Sequence, residues 1–226
     1  WGLKISDALK ARGITEGSKD VIVAVIDTGM DVMHQDLKNN LWVNPGETGL
    51  DSKGRDKATN GIDDDKNGFV DDVHGWNFVN NNNKLDDNHG HGTHISGIIG
   101  AEGGNNFGIT GIASKVSLMV IKYYDPKFQT NNLENTIKAI NYATAMKAHI
   151  INYSGGGTEY SQQEFEAIRK SRSEGILFVA AAGNEHSNSD KQKYYPANYD
   201  LDNIISVTAI NPSLKVLASS NYGVRT

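Results

Sequence analysis

Residues 21–29 read VIVAVIDTG, an unbroken apolar run that ends in an aspartate followed by Thr-Gly. A continuous run of this kind is typical of a strand that is buried on both faces of a parallel sheet. Further runs predict similar strands at residues 116–124, 149–152, 176–181 and 204–208. The sequence therefore predicts a buried sheet whose strands are separated by other elements along the chain.

The segments between these runs carry helical patterns. One helical face is formed by four small or apolar residues, Leu133, Ile137, Ile140 and Ala143. Phe165 and Ile168 suggest a second helix that Gly175 would end, and a short amphipathic helix is expected at residues 5–11. Alternating strands and helices predict an α/β fold with a mostly parallel central sheet. We interpret residues 1–226 as one domain, because no repeat or proline-rich linker interrupts them.

Composition narrows the classes of function. The chain has 22 Lys and Arg against 27 Asp and Glu, a net charge of −5. Nucleic acids and anionic membranes attract basic surfaces, so we expect neither as the main partner. The absence of cysteine excludes a disulfide framework and a thiol nucleophile. We also expect no membrane span, which needs roughly 18 apolar residues in a row, and no signal peptide.

Asp27 ends the first predicted strand, where parallel α/β sheets place ligands and catalytic groups. An aspartate that forms a turn with Gly29 explains the same letters equally well. Aspartic proteases also use Asp-Thr-Gly, but they need two such carboxylates and no second copy is found. A nucleotide-binding enzyme is a weaker alternative, because no glycine-rich phosphate fingerprint follows the first strand.

Residues 89–94 read HGHGTH, and the ISGIIG segment that follows is rich in small residues. This pattern predicts a helix that begins beneath a histidine and packs closely on its neighbours. Zinc metalloproteases space two histidine ligands four apart around a glutamate, whereas His91 and His94 are three apart without one, so a zinc site is disfavoured. A structural histidine is the other alternative to a catalytic one.

Three blocks, residues 25–31, 91–97 and 180–185, read VIDTGMD, HGTHISG and AAAGNE. In this order they resemble the aspartate, histidine and oxyanion-asparagine blocks of the subtilisin-like serine proteases, the subtilases. The resemblance covers essentially the whole chain. It implies a three-layer subtilisin-like fold with helices on both faces of the sheet. It also implies a serine endopeptidase that hydrolyses peptide bonds through an acyl-enzyme, with the subtilisin order of Asp, His and then Ser.

The resemblance gives each of these residues a role. His91 would take the proton of the nucleophilic serine and return it to the leaving amine, while Asp27 would hold the imidazole in the required tautomer. Asn184 would donate a hydrogen bond to the developing oxyanion. His94 would be structural. The alternative for Asn184 is an ordinary turn residue after Gly183.

Residues 152–157, NYSGGG, resemble the segment with which the family pairs an extended peptide as an added strand. Ser154, Gly155 and Gly156 would then bind substrate. Many family members have leucine where this chain has Gly155, so we expect a lower and more flexible pocket wall. An ordinary serine at a strand end is the alternative for Ser154.

Substrate preference is only weakly indicated. Gly155, Gly156 and the small residues at 180–183 suggest an open cleft that accepts large apolar side chains next to the scissile bond. The resemblance also implies a cis peptide bond between Tyr195 and Pro196.

The family places its nucleophilic serine in a Gly-Thr-Ser-Met-Ala type of turn, and residues 1–226 contain no such motif. We therefore expect a C-terminally incomplete fold that is inactive by itself. A C-terminal segment or a second fragment would supply the serine, in a truncated or a nicked enzyme. The alternative is a calcium-binding pseudo-protease that binds peptides without cutting them. The partners implied are a protein or peptide substrate and a propeptide inhibitor, in an extracytoplasmic location, secreted or periplasmic.

An insertion at about residues 44–88 is rich in Asp, Asn and Gly, and so long a loop is usually functional or disordered. Within it, residues 63–72 read DDDKNGFVDD, with oxygen donors at alternate positions and a glycine at the sixth, as at the start of an EF-hand loop. The expected Ca²⁺ ligands are Asp63, Asp65, Asn67, the Phe69 carbonyl, and Asp71 or Asp72. A solvated acidic surface loop is the alternative.

A second calcium site is implied by the resemblance alone. Asp36 matches a calcium-binding aspartate of the family, and residues 103–109 match its partner loop. The implied ligands of that loop are the Asn105 side chain and the carbonyls of Gly103, Phe107 and Ile109.

Overall fold

The computed structural model describes residues 1–128 and 131–224, so Arg225 and Thr226 of the predicted domain lie outside the described part. Six strands form one sheet in the order β2-β3-β1-β4-β5-β6, and every neighbouring pair is parallel. The strands are β1 (Gly17–Asp27), β2 (Gly75–Asn77), β3 (Lys115–Lys122), β4 (Ile150–Tyr153), β5 (Leu177–Ala181) and β6 (Ile204–Val207). The predicted α/β class and parallel sheet are confirmed.

Helices lie between the strands as the periodicity predicts. They are α1 (Gly2–Ile5), α2 (Ala8–Arg12), α3 (His91–Gly100), α4 (Asn132–Ala145) and α5 (Gln162–Ser173). Side-chain oxygens of Asn131 and Ser161 accept hydrogen bonds from the first turns of α4 and α5, as helix caps do. Gly175, with φ of 76°, follows the end of α5 as predicted. No helix in the described ranges has the length and apolar character needed to cross a bilayer.

The two faces of the sheet bury separate clusters, because side chains of a strand alternate between its faces. Ala24 and Ile26 of β1 pack in a cluster with apolar residues of α4 and α5. Val23 and Val25 point the other way, into a cluster against which Ile95 and Ile99 of α3 pack. Helices therefore cover both faces, which gives the expected three layers.

The N-terminal helix differs from its prediction. Residues 5–11 were expected to form one helix, but the structure has two short helices that meet at Asp7. Asp7 adopts a left-handed φ of 53°, which an uninterrupted right-handed helix cannot contain. Few buried side chains hold this segment, since Ala8 is the buried residue of the pair.

The acidic insertion contains a strand that the sequence pattern missed. β2 is three residues long and pairs with β3 at the edge of the sheet. At Gly75 a β-carbon would lie 1.8 Å from the Val120 carbonyl oxygen, so the close approach requires glycine. Trp76 and Phe78 of this region are buried in the core. The insertion is therefore attached to the sheet rather than structureless.

The register of the sheet aligns the carboxyl ends of its central strands. Asp27 of β1 pairs with Lys122 of β3, Ile26 pairs with Tyr153 of β4, and Tyr153 pairs with Ala180 of β5. Segments that leave these strands therefore emerge along one edge, where ligand sites of parallel sheets lie.

Candidate active site

Asp27 and His91 form a direct pair at this edge. The distance from His91 Nδ1 to Asp27 Oδ1 is 2.7 Å. The aspartate is 3% exposed, and its Oδ1 also accepts a hydrogen bond from the Thr28 backbone N–H at 2.8 Å, whereas the His91 side chain is 43% exposed. With Nδ1–H donating to the carboxylate, the neutral imidazole has its lone pair on Nε2. Such a pair can act as a general base toward a nucleophile in solvent reach.

Small residues bring the first turn of α3 onto the end of β1. A β-carbon at Gly92 would lie 2.1 Å from the Gly29 carbonyl oxygen and 3.1 Å from Asp27 Cβ. The Gly92 N–H donates to Thr28 Oγ1 at 2.9 Å. Glycine at position 92 is therefore needed for the close approach, and its hydrogen bond to Thr28 holds the His91 imidazole beside Asp27.

Asp87, which the sequence patterns did not indicate, binds the start of α3 through its carboxylate. Its carboxylate accepts hydrogen bonds from Gly90 N at 2.8 Å, Thr93 N at 2.8 Å, Thr93 Oγ1 at 2.7 Å and Thr28 Oγ1 at 2.9 Å. Burial opposes its ionisation, but these donors together lower the pKa of Asp87 to about 2. A carboxylate at a helix N-terminus followed three residues later by a Gly-His pair is the signal that could have identified it.

A buried ion pair between Lys122 and Asp125 lies at the same edge, at the end of β3. Lys122 Nζ lies 2.9 Å from Asp125 Oδ2, and both side chains are almost fully buried. The lysine also donates to the Asp86 carbonyl oxygen at 2.8 Å. Burial works against the charged carboxylate, yet the hydrogen bond from Lys122 keeps the pKa of Asp125 below its usual value. The pair thus ties the segment that carries Asp87 to the end of β3.

Asn184 lies on the same edge, exposed and three residues beyond the end of β5. The turn that presents it is fixed by Asn221, whose Nδ2 donates to the Ala182 carbonyl at 2.8 Å. Asn221 Oδ1 accepts from the backbone N–H groups of Glu185 and Ser187. In the described part of the chain the Asn184 side chain makes no hydrogen bond, which leaves its amide free to donate to a ligand.

The predicted substrate-binding segment follows β4. Ser154 Oγ accepts a hydrogen bond from Asn152 Nδ2 at 3.1 Å. At Gly155 a β-carbon would lie 2.5 Å from the Tyr123 hydroxyl and 2.9 Å from the Tyr153 hydroxyl. The expected lower wall is therefore replaced by tyrosine hydroxyls that occupy the space of the missing side chain. Burial raises the pKa of Tyr153 to about 12, so its hydroxyl stays protonated at neutral pH.

A cleft of about 480 Å³ adjoins this segment. Its lining is mainly aromatic and glycine-rich and includes the buried Glu164. Burial raises the pKa of Glu164 above its usual value, while the Tyr199 hydroxyl donates to it at 2.8 Å. The peptide bond between Tyr195 and Pro196 is cis, as predicted.

In the acidic loop, the insertion at about residues 44–88, the structure brings together Glu47, Asp65 and Asp72. One carboxylate oxygen from each lies within 4.8 Å of the others, a grouping that could hold a metal ion. Glu47 is fully buried, and within the described residues its Oε2 has no hydrogen-bond partner. Burial raises the pKa values of the Glu47 and Asp72 carboxyls above their usual range. Glu47 was not predicted from the sequence, because it belongs to a short helical turn that precedes the acidic run of residues 63–72.

The other predicted ligands of this loop have different surroundings. Asp63 accepts hydrogen bonds from the backbone N–H groups of Asn67 and Gly68, at 3.0 and 2.8 Å. Asn67 Nδ2 donates to Asp65 and Asp72 at 3.2 and 3.0 Å, next to the three-carboxylate group. The remaining two predicted ligands are Phe69, whose ring packs on buried aromatic side chains, and Asp71, whose carboxylate accepts from the Gly61 N–H.

Some of the residues implied for the second calcium site, at Asp36, also lie in contact. Asp36 is 2% exposed, and it accepts hydrogen bonds from Asn105 Nδ2 at 2.7 Å and from the Ile109 N–H at 2.9 Å. Phe107 N donates to Asn105 Oδ1 at 3.1 Å. The loop that contains Gly103, Phe107 and Ile109 therefore lies against Asp36.

The chain is similar in sequence to proteases of two different organisms. The protein "Subtilisin-like protease 1" of Plasmodium vivax is 40% identical over 187 residues, which are 81% of this chain and 28% of that protein. The "Major intracellular serine protease" of Bacillus subtilis (strain 168) is 32% identical over 224 residues, which are 97% of this chain and 60% of that protein. The chain thus spans less than a third of the Plasmodium protein.

A solved structure shares the fold. The crystal structure of a lanthipeptide protease superposes with a TM-score of 0.71 and 24% sequence identity, covering 99% of this chain and 58% of that chain. Residues 18–226 match the Subtilase family of peptidases. This chain belongs to the subtilase family.

Proposed function

We propose that the complete protein is a calcium-stabilised serine endopeptidase whose nucleophilic serine is supplied by a segment outside residues 1–226. The observation that carries this proposal is the 2.7 Å contact between His91 Nδ1 and the buried Asp27 carboxylate. It lies at the carboxyl edge of a parallel sheet, in a chain of the subtilase family. Asn184 emerges along the same edge.

The proposed chemistry assigns one task to each side chain. His91 Nε2 takes the proton of the serine hydroxyl as its oxygen attacks the carbonyl carbon of the peptide bond. Asn184 donates to the oxyanion of the tetrahedral intermediate. When the C–N bond breaks, His91 gives its proton to the leaving amine. Water then hydrolyses the acyl-enzyme by the same proton transfers, while Asp27 stabilises the imidazolium in both halves.

Substrate would be a protein or peptide bound in extended form along residues 154–156. The glycines of this segment let a peptide backbone approach closely, and strand addition supplies affinity through main-chain hydrogen bonds. The same proposal includes a propeptide as an inhibitor in this cleft and an extracytoplasmic location. One relative is named an intracellular protease, so location is to be tested by fractionating cells that express the complete protein.

Calcium is proposed to bind the acidic loop. Three carboxylates lie together there and repel one another, and the buried Glu47 Oε2 has no hydrogen-bond partner in the described part of the chain. Hard cations such as Ca²⁺ take oxygen ligands of this kind. Glu47, Asp65 and Asp72 would hold the ion, with Asp63, Asn67, Phe69 and Asp71 as the other candidate ligands of the loop.

A second ion is proposed at Asp36. The supporting contacts are those of its buried carboxylate with the Asn105 amide and the Ile109 N–H. The Asn105 side chain and the carbonyls of Gly103, Phe107 and Ile109 would complete the ligand set.

The test uses the complete protein and two histidine variants on the same helix. His91→Ala is expected to lower kcat for a protein substrate by about 10⁴ or more, as loss of the general base does in a related subtilisin. His94→Ala is the matched control, because His94 is exposed on the same helix turn. The control is expected to keep activity within about threefold.

Two outcomes would contradict the proposal. Equal loss of activity in both variants would point to damage of α3 rather than to a catalytic imidazole. A complete protein that binds peptides and calcium but never hydrolyses them would establish the pseudo-protease alternative.

A further inference from the structure

The proposed chemistry defines a slot next to the scissile bond. The subtilase resemblance implies that, when the peptide carbonyl faces Asn184, the side chain of the residue that contributes this carbonyl would lie between the segments that follow β4 and β5. These segments are residues 154–156 and 181–183, at neighbouring parallel strand ends. Both consist of small residues, which by sequence alone suggests an open slot for large apolar side chains.

The structure shows a tyrosine ring in this slot. A β-carbon at Gly156 would lie 2.5 Å from Tyr194 Cε1, and a β-carbon at Gly183 would lie 3.0 Å from Tyr194 Cδ2. Opposite edges of one ring therefore contact the two glycines that line the slot. Gly156 and Gly183 leave the slot free of their own side chains, and the ring of Tyr194 fills it.

Several hydrogen bonds fix the backbone that carries the Tyr194 ring. The Tyr194 N–H donates to Asn198 Oδ1 at 2.9 Å, and the Asn198 N–H donates back to the Tyr194 carbonyl at 2.9 Å. The next residue, Tyr195, exchanges two backbone hydrogen bonds with Gly157, at 2.7 and 2.8 Å. The segment that carries Tyr194 is thus tied to the same glycine-rich segment that the peptide would pair with.

We propose that Tyr194 is a specificity-determining residue that closes this slot, so that the enzyme cleaves after small residues such as glycine, alanine and serine. The inference rests on the proposed peptidase function and reverses the preference for large apolar residues expected from sequence. A large side chain would have to displace a ring that is packed against two backbone segments and that belongs to a hydrogen-bonded stretch of backbone. Steric exclusion of this kind separates substrates by about 10- to 100-fold.

The experiment measures kcat/KM of the complete protein on two peptides that differ only before the scissile bond, in alanine or phenylalanine. The native enzyme is expected to prefer the alanine peptide by at least about tenfold. Tyr194→Ala opens the slot and is expected to raise kcat/KM for the phenylalanine peptide by about tenfold or more. Tyr194→Phe is the matched control, which keeps the ring and is expected to keep the native ratio.

The outcomes separate this inference from the function on which it rests. Cleavage of neither peptide, with no reaction toward a serine-directed phosphonate, overturns the peptidase function and the inference with it. Cleavage of the phenylalanine peptide at the native alanine rate or faster overturns the inference and leaves the function intact. If Tyr194→Ala does not fold, as judged by its melting curve, the native enzyme's ratio of kcat/KM for the alanine and phenylalanine peptides decides whether the slot is closed.

Discussion

The Asp27–His91 pair and the acidic loop both contain buried carboxylates, but among the described residues only the acidic loop has a buried carboxylate oxygen without a hydrogen-bond partner. Asp27 accepts hydrogen bonds from the Thr28 N–H and from His91. Glu47 is equally buried, yet its Oε2 has no partner among the described residues. A buried polar atom without a partner costs about 1–3 kcal/mol, and more when it is charged. The Asp27–His91 pair is thus organised by the polypeptide itself, whereas the acidic loop leaves a buried oxygen that the proposed cation would satisfy.

The largest effect is expected at the Asp27–His91 pair, where substitution of the aspartate should abolish most of the activity. Asp27→Asn keeps the shape of the side chain but removes the negative charge that orients and stabilises the His91 imidazole. In the complete protein we expect kcat to fall by about 10⁴ with KM nearly unchanged. Steady-state kinetics on a peptide substrate measures both constants. A loss below tenfold would show that the 2.7 Å contact has no catalytic role.

A smaller loss is expected at Asn184. Its side chain has no partner in the described part of the chain, so Asn184→Ala should leave folding intact and remove one donor to the oxyanion. We expect kcat to fall about 10²- to 10³-fold at constant KM. Kinetics and a melting curve measured together separate the two effects. A rise in KM at constant kcat would assign Asn184 to substrate binding instead.

Removal of calcium tests whether the carboxylates of the acidic loop, Glu47 among them, bind the proposed ion. Ligands that bind the native state add stability, so excess chelator is expected to lower the melting temperature by more than a few degrees. Glu47→Gln is expected to make this chelator-dependent shift smaller. Glu134→Gln, which removes the same charge from an exposed surface pair on α4, is the matched control. An identical shift in native protein and Glu47→Gln would exclude Glu47 as a ligand.

The smallest effect concerns Asp87, whose carboxylate joins β1 to the start of α3. Its pKa is lowered to about 2, so the native state favours the ionised form. The stabilisation is present above the unfolded-state pKa of about 3.9 and is lost as the pH falls through 2. Because the group is partly exposed, Asp87→Asn is expected to cost only about 1–2 kcal/mol at pH 7.

Urea denaturation of the complete protein at pH 7 and pH 3 checks this dependence. The difference between Asp87→Asn and the native protein should shrink at pH 3. Asp86→Asn, an exposed neighbour, is the control and is expected to change stability little at either pH. A difference that does not depend on pH would mean that Asp87 acts through shape rather than charge.

The strands, helices and sequence blocks that could be predicted are those that leave a pattern in neighbouring residues. Buried strands such as β1 are continuous apolar runs, and α4 and α5 have periodic faces, so both could be predicted from spacing. Asp27 and His91 could be predicted because each stands in a distinctive block, and the structure places them in contact. The order of the blocks carried the family resemblance.

Features that depend on tertiary approach were not predictable from one sequence. β2 is too short to show a periodicity, and Glu47 lies in a turn of residues that carry no metal pattern. Tyr194 follows the glycines of the slot by many residues, and the contact with Gly156 and Gly183 exists only after folding. Sequence spacing shows that glycines leave space, but not which side chain fills it.

The most direct test is covalent labelling of the complete protein with a serine-directed phosphonate, followed by mass-spectrometric mapping of the labelled residue. The account predicts that the labelled serine lies outside residues 1–226 and that labelling is lost in His91→Ala but retained in His94→Ala. Labelling of Ser154 or another serine within the present chain, or no labelling of a folded and calcium-loaded protein, would contradict a peptidase site built on Asp27 and His91.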